Sequence, residues 1–378
     1  MTTATNIKRL LRPHLRSMTP YLSARRTMSG GTIWLNANES PYTPFSANDN
    51  FTALGTDRLN RYPNFQSSSL NSAFAHYAGI IPEQVMSHRG SDEGIDLLIR
   101  AFCEPGTDSV LICPPTYGMY SIAAQLNNNR TVNVPLVLRN ESYQLNLNAI
   151  ANALSSSDLS VKVIFLCNPS NPLGNLLSPK DIESVLQLAA GKAIVVVDEA
   201  YIEYAEAGTG CEQALSSVQQ LNQFSHLVVL RTLSKGFGLA GIRVGFTLAN
   251  TELIQALVPV LAPYPLPVTS IEVAKQALGL EGLIHMRQNV LEAVSERELL
   301  TTALRAFPWV VRIYPSSCNF ILMQVDNGNA LMSHCQQDGI LLRQLNQPHL
   351  EHCIRISIGS PAENNELLRV LQNYGVNV

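Results

Sequence analysis

From Ser91 onward the chain alternates helix-patterned stretches with short, nearly uninterrupted apolar runs rich in β-branched residues. A strand exposed on one face alternates apolar and polar positions, so continuous runs indicate strands covered on both faces, as in a mostly parallel sheet wrapped by helices. Runs at 110–113, 132–135, 163–166, 193–197, 227–230 and 242–247 predict strands of this kind. The stretches near 92–102, 116–127, 178–190 and 251–261 predict the helices between them. The order of elements is that of an α/β fold.

The rhythm breaks at 261–267, where Pro263, Pro265 and Pro267 interrupt any regular element and mark a domain junction. A helical pattern over 269–306 follows. Strand-like runs at 310–314, 320–325, 340–343 and 353–358 then mix with helices predicted near 328–338 and 362–373. This second part reads as a smaller α+β unit.

Composition narrows the possible functions. Of 378 residues, 46% are hydrophobic and 15% charged, which excludes a disordered or collagen-like chain. A net charge of −3 leaves no electrostatic footprint for nucleic acid or an anionic membrane, so a small-molecule partner is expected. The apolar runs are strand-sized and too short to span a bilayer. Lys8, Arg9 and Arg12 are not followed by the apolar segment of a secretory signal, and a cytoplasmic location is expected. Seven cysteines, without a C-x-x-C pair or a histidine at ligand spacing, are expected to be reduced and mostly buried, with no metal site.

The chemistry concentrates in Thr232 to Gly245, TLSKGFGLAGIRVG, directly after the strand at 227–230. A lysine at the end of a buried strand is oddly placed for a solvated cation, although a mid-chain lysine is usually no more than that. Arg243 follows in a second small-residue turn, and a guanidinium near the Ser234 hydroxyl suits a phosphate dianion. Asp198 ends the strand at 193–197, where ligands collect in open α/β sheets, and a helix N-cap or a solvated loop acid is the competing reading of this segment alone. The strand at 163–166 runs into Asn168-Pro169-Ser170-Asn171-Pro172, whose residues turn chemistry alone could explain.

Taken together, Asn171, Asp198, Tyr201, Ser234, Lys235 and Arg243 stand in an order that resembles the fold type I pyridoxal-phosphate (PLP) aminotransferases. LNANESPY from Leu35, LNRYP from Leu59, RGSDEGIDLLIRAFCEPG from Arg89, CPPTYGMY from Cys113, VVVDEAYIEY from Val195 and IRISIG from Ile354 are similar to the histidinol-phosphate aminotransferase family, within the class II subgroup. The likeness spans nearly the whole chain. It implies a large domain at 45–266 holding a mostly parallel seven-stranded sheet between helices. It also implies a smaller α+β domain at 267–378, to which residues 1–44 contribute.

The resemblance implies roles as well. Lys235 would hold the cofactor as a Schiff base and then move the proton between substrate and cofactor, a task that needs a readily neutralised amine. Asp198 would face the pyridine nitrogen, Asn171 and Tyr201 the phenolic oxygen, and Tyr117 the ring face. Ser91, Asp92 and Glu93 open a helix whose free N–H groups favour an anion, and Ser91 could equally be a simple N-cap. Ser234 and Arg243 would complete the phosphate cup. Tyr62 would reach the cofactor phosphate of a neighbouring subunit, which implies a homodimer with shared sites.

Arg355, in an apolar strand, needs a partner, whether a structural acid or a ligand. The resemblance makes it the clamp for the phosphate of histidinol phosphate and for a carboxylate of glutamate or 2-oxoglutarate. Tyr21, Asn36 and Arg343 are further candidates on the substrate side. The reaction implied is amino transfer between histidinol phosphate and 2-oxoglutarate, in histidine biosynthesis. Rival enzymes on this scaffold are an aromatic aminotransferase and a threonine-phosphate decarboxylase. A PLP-binding transcription regulator would need a basic DNA-binding module ahead of the fold, for which the stretch before Leu35 is short. Two departures from the family stand out: Leu173 replaces a usual Thr or Ser, and Gly236 a common alanine.

Overall fold

Continuous apolar runs become strands because both faces of the large sheet are covered. The structure, a computed structural model, describes residues 13–15, 28, 31–42, 59–209, 215–345, 348 and 350–374. Its strands are β1 (Ile33–Trp34), β2 (Val85–His88), β3 (Ser109–Ile112), β4 (Arg130–Asn133), β5 (Val137–Arg139), β6 (Ser142–Gln144), β7 (Val161–Cys167) and β8 (Ile194–Asp198). They continue with β9 (Leu227–Thr232), β10 (Gly245–Ala249), β11 (Val310–Ile313), β12 (Phe320–Val325), β13 (Ile340–Leu341), β14 (Arg343–Gln344) and β15 (Cys353–Ser357). The helices are α1 (Ser68–Ala78), α2 (Gly90–Phe102), α3 (Met119–Leu126), α4 (Leu147–Ser155), α5 (Pro179–Ala189) and α6 (Ile202–Thr209). They end with α7 (Thr251–Leu257), α8 (Val268–Ala277), α9 (Leu280–Leu304), α10 (Gly328–Gln337) and α11 (Pro361–Tyr374).

Seven strands form one sheet in the order β2-β10-β9-β8-β7-β3-β4. Only β10 runs against its neighbours, pairing antiparallel with β2 and β9, so the sheet is mostly parallel as expected. Alternate residues feed two separate cores: Val195, Val197 and Val229 on one face, Val196, Val228 and Leu230 on the other. Helices α1 and α5 close the first face with Phe74 and Leu186, while α2 and α7 close the second with Ile95, Leu98 and Leu257. Each such buried side chain contributes roughly 1.5–3 kcal/mol.

Several predicted elements shift. The run at 242–247 starts as a strand only at Gly245, because Ile242 ends a 3-10 turn and Arg243 takes a left-handed φ of 56°. Gly245 is needed there: a Cβ would lie 2.6 Å from the main chain of Gly90 and Ser91. The single helix at 269–306 is two, α8 and α9, separated at Gly279, whose extended backbone caps the second. The run at 340–343 divides into β13 and β14, which pair with different strands. The elements β1, β2, β5, β6, α1, α4 and α6 had no distinct sequence signal. Helix α1 is nonetheless well punctuated, with Ser67 accepting from Leu70 N at its start and Gly79 at φ 71° closing its end.

The second sheet, β11-β12-β15-β14, is antiparallel throughout. The N-terminal stretch is tied to this half of the chain. β1 pairs in parallel with β13, Leu35 N donates to Leu341 O, and Ser357 N donates to Leu35 O. This stitching carries Ala37 and Asn38 to the edge of the large sheet. The six described cysteines are buried free thiols; Cys211 lies outside the described residues.

Candidate active site

Strands β3, β7, β8 and β9 are parallel, so their C-terminal ends share one edge of the sheet. The register sets Cys167 beside Asp198 and Asp198 beside Leu230. Loops leaving these strands carry Tyr117, Asn171, Tyr201 and Lys235 into one cavity of about 410 Å³. From the other side, Gly245 of β10 pairs with both Thr232 and His88, which draws Arg243 and Ser91 to the same cavity. The topology thus gathers residues from five separate segments, at the crevice where open α/β sheets bind ligands.

Lys235 is partly buried, and its Nζ donates to the carbonyl of Ala37 at 3.1 Å. Burial, reinforced by the positive charge of Arg355, lowers its amine to about 8. A substantial neutral fraction near neutral pH is what a nucleophilic or proton-transferring amine requires. Asp198 is 3% exposed, and burial raises its carboxyl to about 6 against the opposing hydrogen bond from Tyr120. A buried carboxylate with its charge held back by desolvation favours a cationic partner in the cavity.

Tyr120 donates to Asp198 Oδ2 at 2.8 Å, and the Ala200 amide donates to Oδ1 at 3.2 Å. Tyr120 is packed face to face with Phe165, at 4.7 Å between centroids. Tyr117 stands edge-on to Tyr120 and donates its hydroxyl to Asp92 Oδ1 at 3.0 Å, which fixes an aromatic wall over the cavity. Tyr201 meets two carboxamides: Asn171 Nδ2 at 3.4 Å and Asn38 Nδ2 at 3.1 Å. Asn171 Oδ1 in turn accepts from Arg355 at 2.7 Å, and the second Arg355 nitrogen donates to the carbonyl of Asn36. The Arg355 guanidinium lies over the Phe320 ring at 5.3 Å. The turn's other asparagine, Asn168, is structural, its Oδ1 accepting from Leu177 N.

An anion cup lies at the start of α2. Gly90 has a φ of 72°, and a Cβ there would sit 2.6 Å from an Arg243 nitrogen, so only glycine lets the guanidinium close over the helix terminus. Arg243 reaches Ser234 Oγ at 3.4 Å and Asp92 Oδ2 at 3.6 Å. Ser234 Oγ is held in turn by Thr232 Oγ1 at 2.9 Å. Helix-terminal amides, a hydroxyl and a guanidinium together suit a phosphate.

Behind Lys235 lies a buried ionic cluster that the sequence did not reveal. Arg231 of β9 contacts Glu203 at 2.8 Å and Glu199 at 3.6 Å. Glu199 also accepts from Ser216 Oγ and Ser217 N, each at 2.6 Å. Glu203 explains Gly236: an alanine Cβ there would press against its side chain at 3.0 Å. Leu173, the other departure, is 1% exposed and packs in the core.

Of the predicted site residues, Lys235, Asp198, Tyr201, Asn171, Ser234, Arg243, Ser91, Asp92, Tyr117, Arg343 and Arg355 all line the cavity. Glu93 does not. It turns back to accept from Arg89 N and Nε at 2.6 and 3.0 Å, because a carboxylate in the first turn of a helix serves the free amides beside it. Asn36 lends only its main-chain carbonyl, and its buried carboxamide is not part of the cavity wall. Tyr62 is 81% exposed and stacks on Tyr264 at 4.4 Å, outside this cavity. Tyr21 lies outside the described residues.

Sequence reasoning missed Tyr120, Asn38 and Ala37. Tyr120 follows Tyr117 at helical spacing, which was the available signal. Asn38 shares a motif with Asn36, and nothing local distinguishes the two. The donor set fits pyridoxal phosphate: an amine for its carbonyl, a buried carboxylate for its ring nitrogen, hydroxyl and amide groups for its phenolic oxygen, and the glycine-lined cup for its phosphate.

Comparison with known proteins agrees with this geometry. The family described as "Aminotransferase class I and II" matches residues 31–371. Histidinol-phosphate aminotransferase 2 of Idiomarina loihiensis is 49% identical over 97% of this chain and 99% of its own length. The Escherichia coli histidinol-phosphate aminotransferase is 45% identical over 98% and 99%. Among solved structures, the Sinorhizobium meliloti histidinol-phosphate aminotransferase, in complex with pyridoxal-5'-phosphate, has the same fold, with a TM-score of 0.82 at 21% identity over 96% of this chain and 97% of its own. With a family match over nearly all of its length and relatives approaching half identity, the chain belongs to the class I and II aminotransferases, among the histidinol-phosphate aminotransferases.

Proposed function

We propose that this chain transfers an amino group between L-histidinol phosphate and 2-oxoglutarate, with pyridoxal 5'-phosphate held at Lys235, as a step of histidine biosynthesis. The observation that carries the reading is Lys235 itself: an amine lowered to about 8, in the same cavity as the Asp198 carboxylate and the Arg243 cup. The relatives at 45–49% identity are histidinol-phosphate aminotransferases by name, which supports the choice of substrate.

When bound, pyridoxal phosphate supplies a carbonyl that accepts an amino group and a ring that delocalises the electron pair released at the substrate carbon. The chain's residues do the rest. Lys235 Nζ, with its neutral form favoured, would hold the cofactor through its carbonyl carbon and, when free, would carry the proton between the two carbons that exchange it. Asp198 would keep the ring nitrogen protonated, its own charge stabilised by the Tyr120 hydroxyl. Ser91, Ser234 and Arg243 would grip the cofactor phosphate, and Tyr117 would cover the ring. Arg355, with Arg343 nearby in the wall, binds the anionic end of each substrate in turn.

A homodimer with shared sites belongs to the same reading. It is supported by Tyr62, a tyrosine left 81% exposed in the single chain, which would reach the phosphate of the neighbouring subunit.

Protein incubated with pyridoxal phosphate should show a visible absorbance band that is lost on adding histidinol phosphate. It should then form glutamate from 2-oxoglutarate. A colourless product would defeat the cofactor assignment. Carbon dioxide release from threonine phosphate, or faster turnover of phenylalanine, would transfer the function to a rival enzyme on the same fold.

A further inference from the structure

We propose that Asn38 is a positioning residue that aims the hydroxyl proton of Tyr201 into the cavity, and that Ser357 fixes Asn38 for this task. The inference rests on the cofactor reading above and adds to it a residue from the N-terminal stretch.

Asn38 is 1% exposed and has a left-handed φ of 53°, a backbone that asparagine tolerates better than most side chains. Three segments hold it. Its N–H donates to Ser357 Oγ at 2.8 Å, its carbonyl accepts from Asn319 Nδ2 at 3.1 Å, and its carboxamide lies between Ser357 and Tyr201. The orientation of that carboxamide follows from Ser357. This serine is also 1% exposed, and its oxygen already accepts the Asn38 N–H. Its own proton needs an acceptor, and Asn38 Oδ1 at 3.1 Å supplies one. Asn38 Nδ2 therefore faces Tyr201.

Tyr201 Oη consequently receives an N–H from Asn38 at 3.1 Å and another from Asn171 at 3.4 Å. The orientation of Asn171 is fixed independently, because Arg355 donates to its Oδ1 at 2.7 Å. A phenol oxygen with both acceptor positions engaged has only its proton left to offer. That proton points to the remaining side, into the cavity that Tyr201, Asn38, Asn171 and Lys235 line together. Each link also polarises the next, so the Asn38 bond makes the hydroxyl a stronger donor than it would be in the same buried place without it. The acceptor chemistry this favours is an anionic oxygen, such as the cofactor's phenolate.

Asn38→Asp is nearly isosteric and reverses the bond, since a carboxylate would take the Tyr201 proton for itself. Asn38→Gly deletes the side chain and keeps the left-handed backbone. Absorbance titration of the bound cofactor reads the effect directly, because a donor to the phenolate lowers the pH at which the neighbouring imine loses its proton. That pH should rise by about one unit in Asn38→Asp and by less in Asn38→Gly. In a Tyr201→Phe background, the effect of Asn38→Gly should disappear. An unshifted titration in both variants, or an equal glycine effect with and without the Tyr201 hydroxyl, would overturn the proposal. If the unaltered protein takes up no cofactor at all, the functional reading fails first, an outcome separable from failure of the relay.

Discussion

The hydroxyl of Tyr120 donates to Oδ2 of Asp198 across 2.8 Å, joining the start of α3 to the end of β8. Tyr120 is fully buried, so this hydrogen bond is shielded from water. Tyr120→Phe keeps the stack on Phe165 and removes only the bond. A hydrogen bond to a charged group is worth about 1.5–3 kcal/mol, so affinity for pyridoxal phosphate should fall roughly 10- to 100-fold. Fluorescence titration of the apoprotein measures it, and unchanged affinity would show that Asp198 needs no such support.

Capture of the cofactor should follow the neutral fraction of Lys235. With the amine lowered to about 8, the rate should climb about tenfold per pH unit below that point and level off above it. Stopped-flow absorbance on the apoprotein gives this profile. A midpoint near the ordinary lysine value of 10.5 would contradict the desolvated, Arg355-flanked environment.

Asp198 should make the apoprotein pH-sensitive. Its carboxyl is raised from 3.8 to about 6 by burial, so the folded state holds the proton more tightly than the unfolded chain. The stability this gives is fully present below the unfolded value and lost as pH rises through about 6. Asp198→Asn apoprotein should therefore melt higher than the parent at about pH 8, by on the order of 1–3 kcal/mol, and nearly equally at about pH 4. The same variant should lose turnover. Thermal melts at the two pH values decide the point.

Arg355→Ala should raise KM for histidinol phosphate and for 2-oxoglutarate alike, with kcat/KM down by roughly two orders of magnitude from the lost charged hydrogen bonds. Arg355→Lys should recover only part, because a single ammonium cannot hold Asn171 Oδ1 and Asn36 O as the guanidinium fork does. Steady-state kinetics that leave both constants unchanged for both substrates would remove Arg355 from the site.

Removing Arg231 should damage the fold rather than the chemistry. Arg231→Met leaves Glu199 and Glu203 buried without their shared cation, at a cost of about 3–5 kcal/mol. Adding Glu203→Gln should restore part of the loss. Denaturant midpoints of the two variants test it, and a single variant as stable as the parent would mean the cluster is neutral.

The sequence by itself determined the covered parallel sheet, because only strands buried on both faces can be as continuously apolar as 193–197 and 227–230. It also carried Lys235, Asp198, Asn171 and Arg243 through motifs lying at strand ends, where local chain order and site geometry coincide. Tertiary structure decided what depends on contacts between distant segments. It turned Glu93 away to Arg89, left Asn36 with only a carbonyl to offer, and chose Asn38 and Tyr120 in their place. It also divided the long helix at Gly279. The physical reason is the same throughout. A side chain's class and spacing fix which bonds it can make, but the partner that satisfies a buried donor or acceptor is set by packing, as when β1 on β13 carries Asn38 between Ser357 and Tyr201.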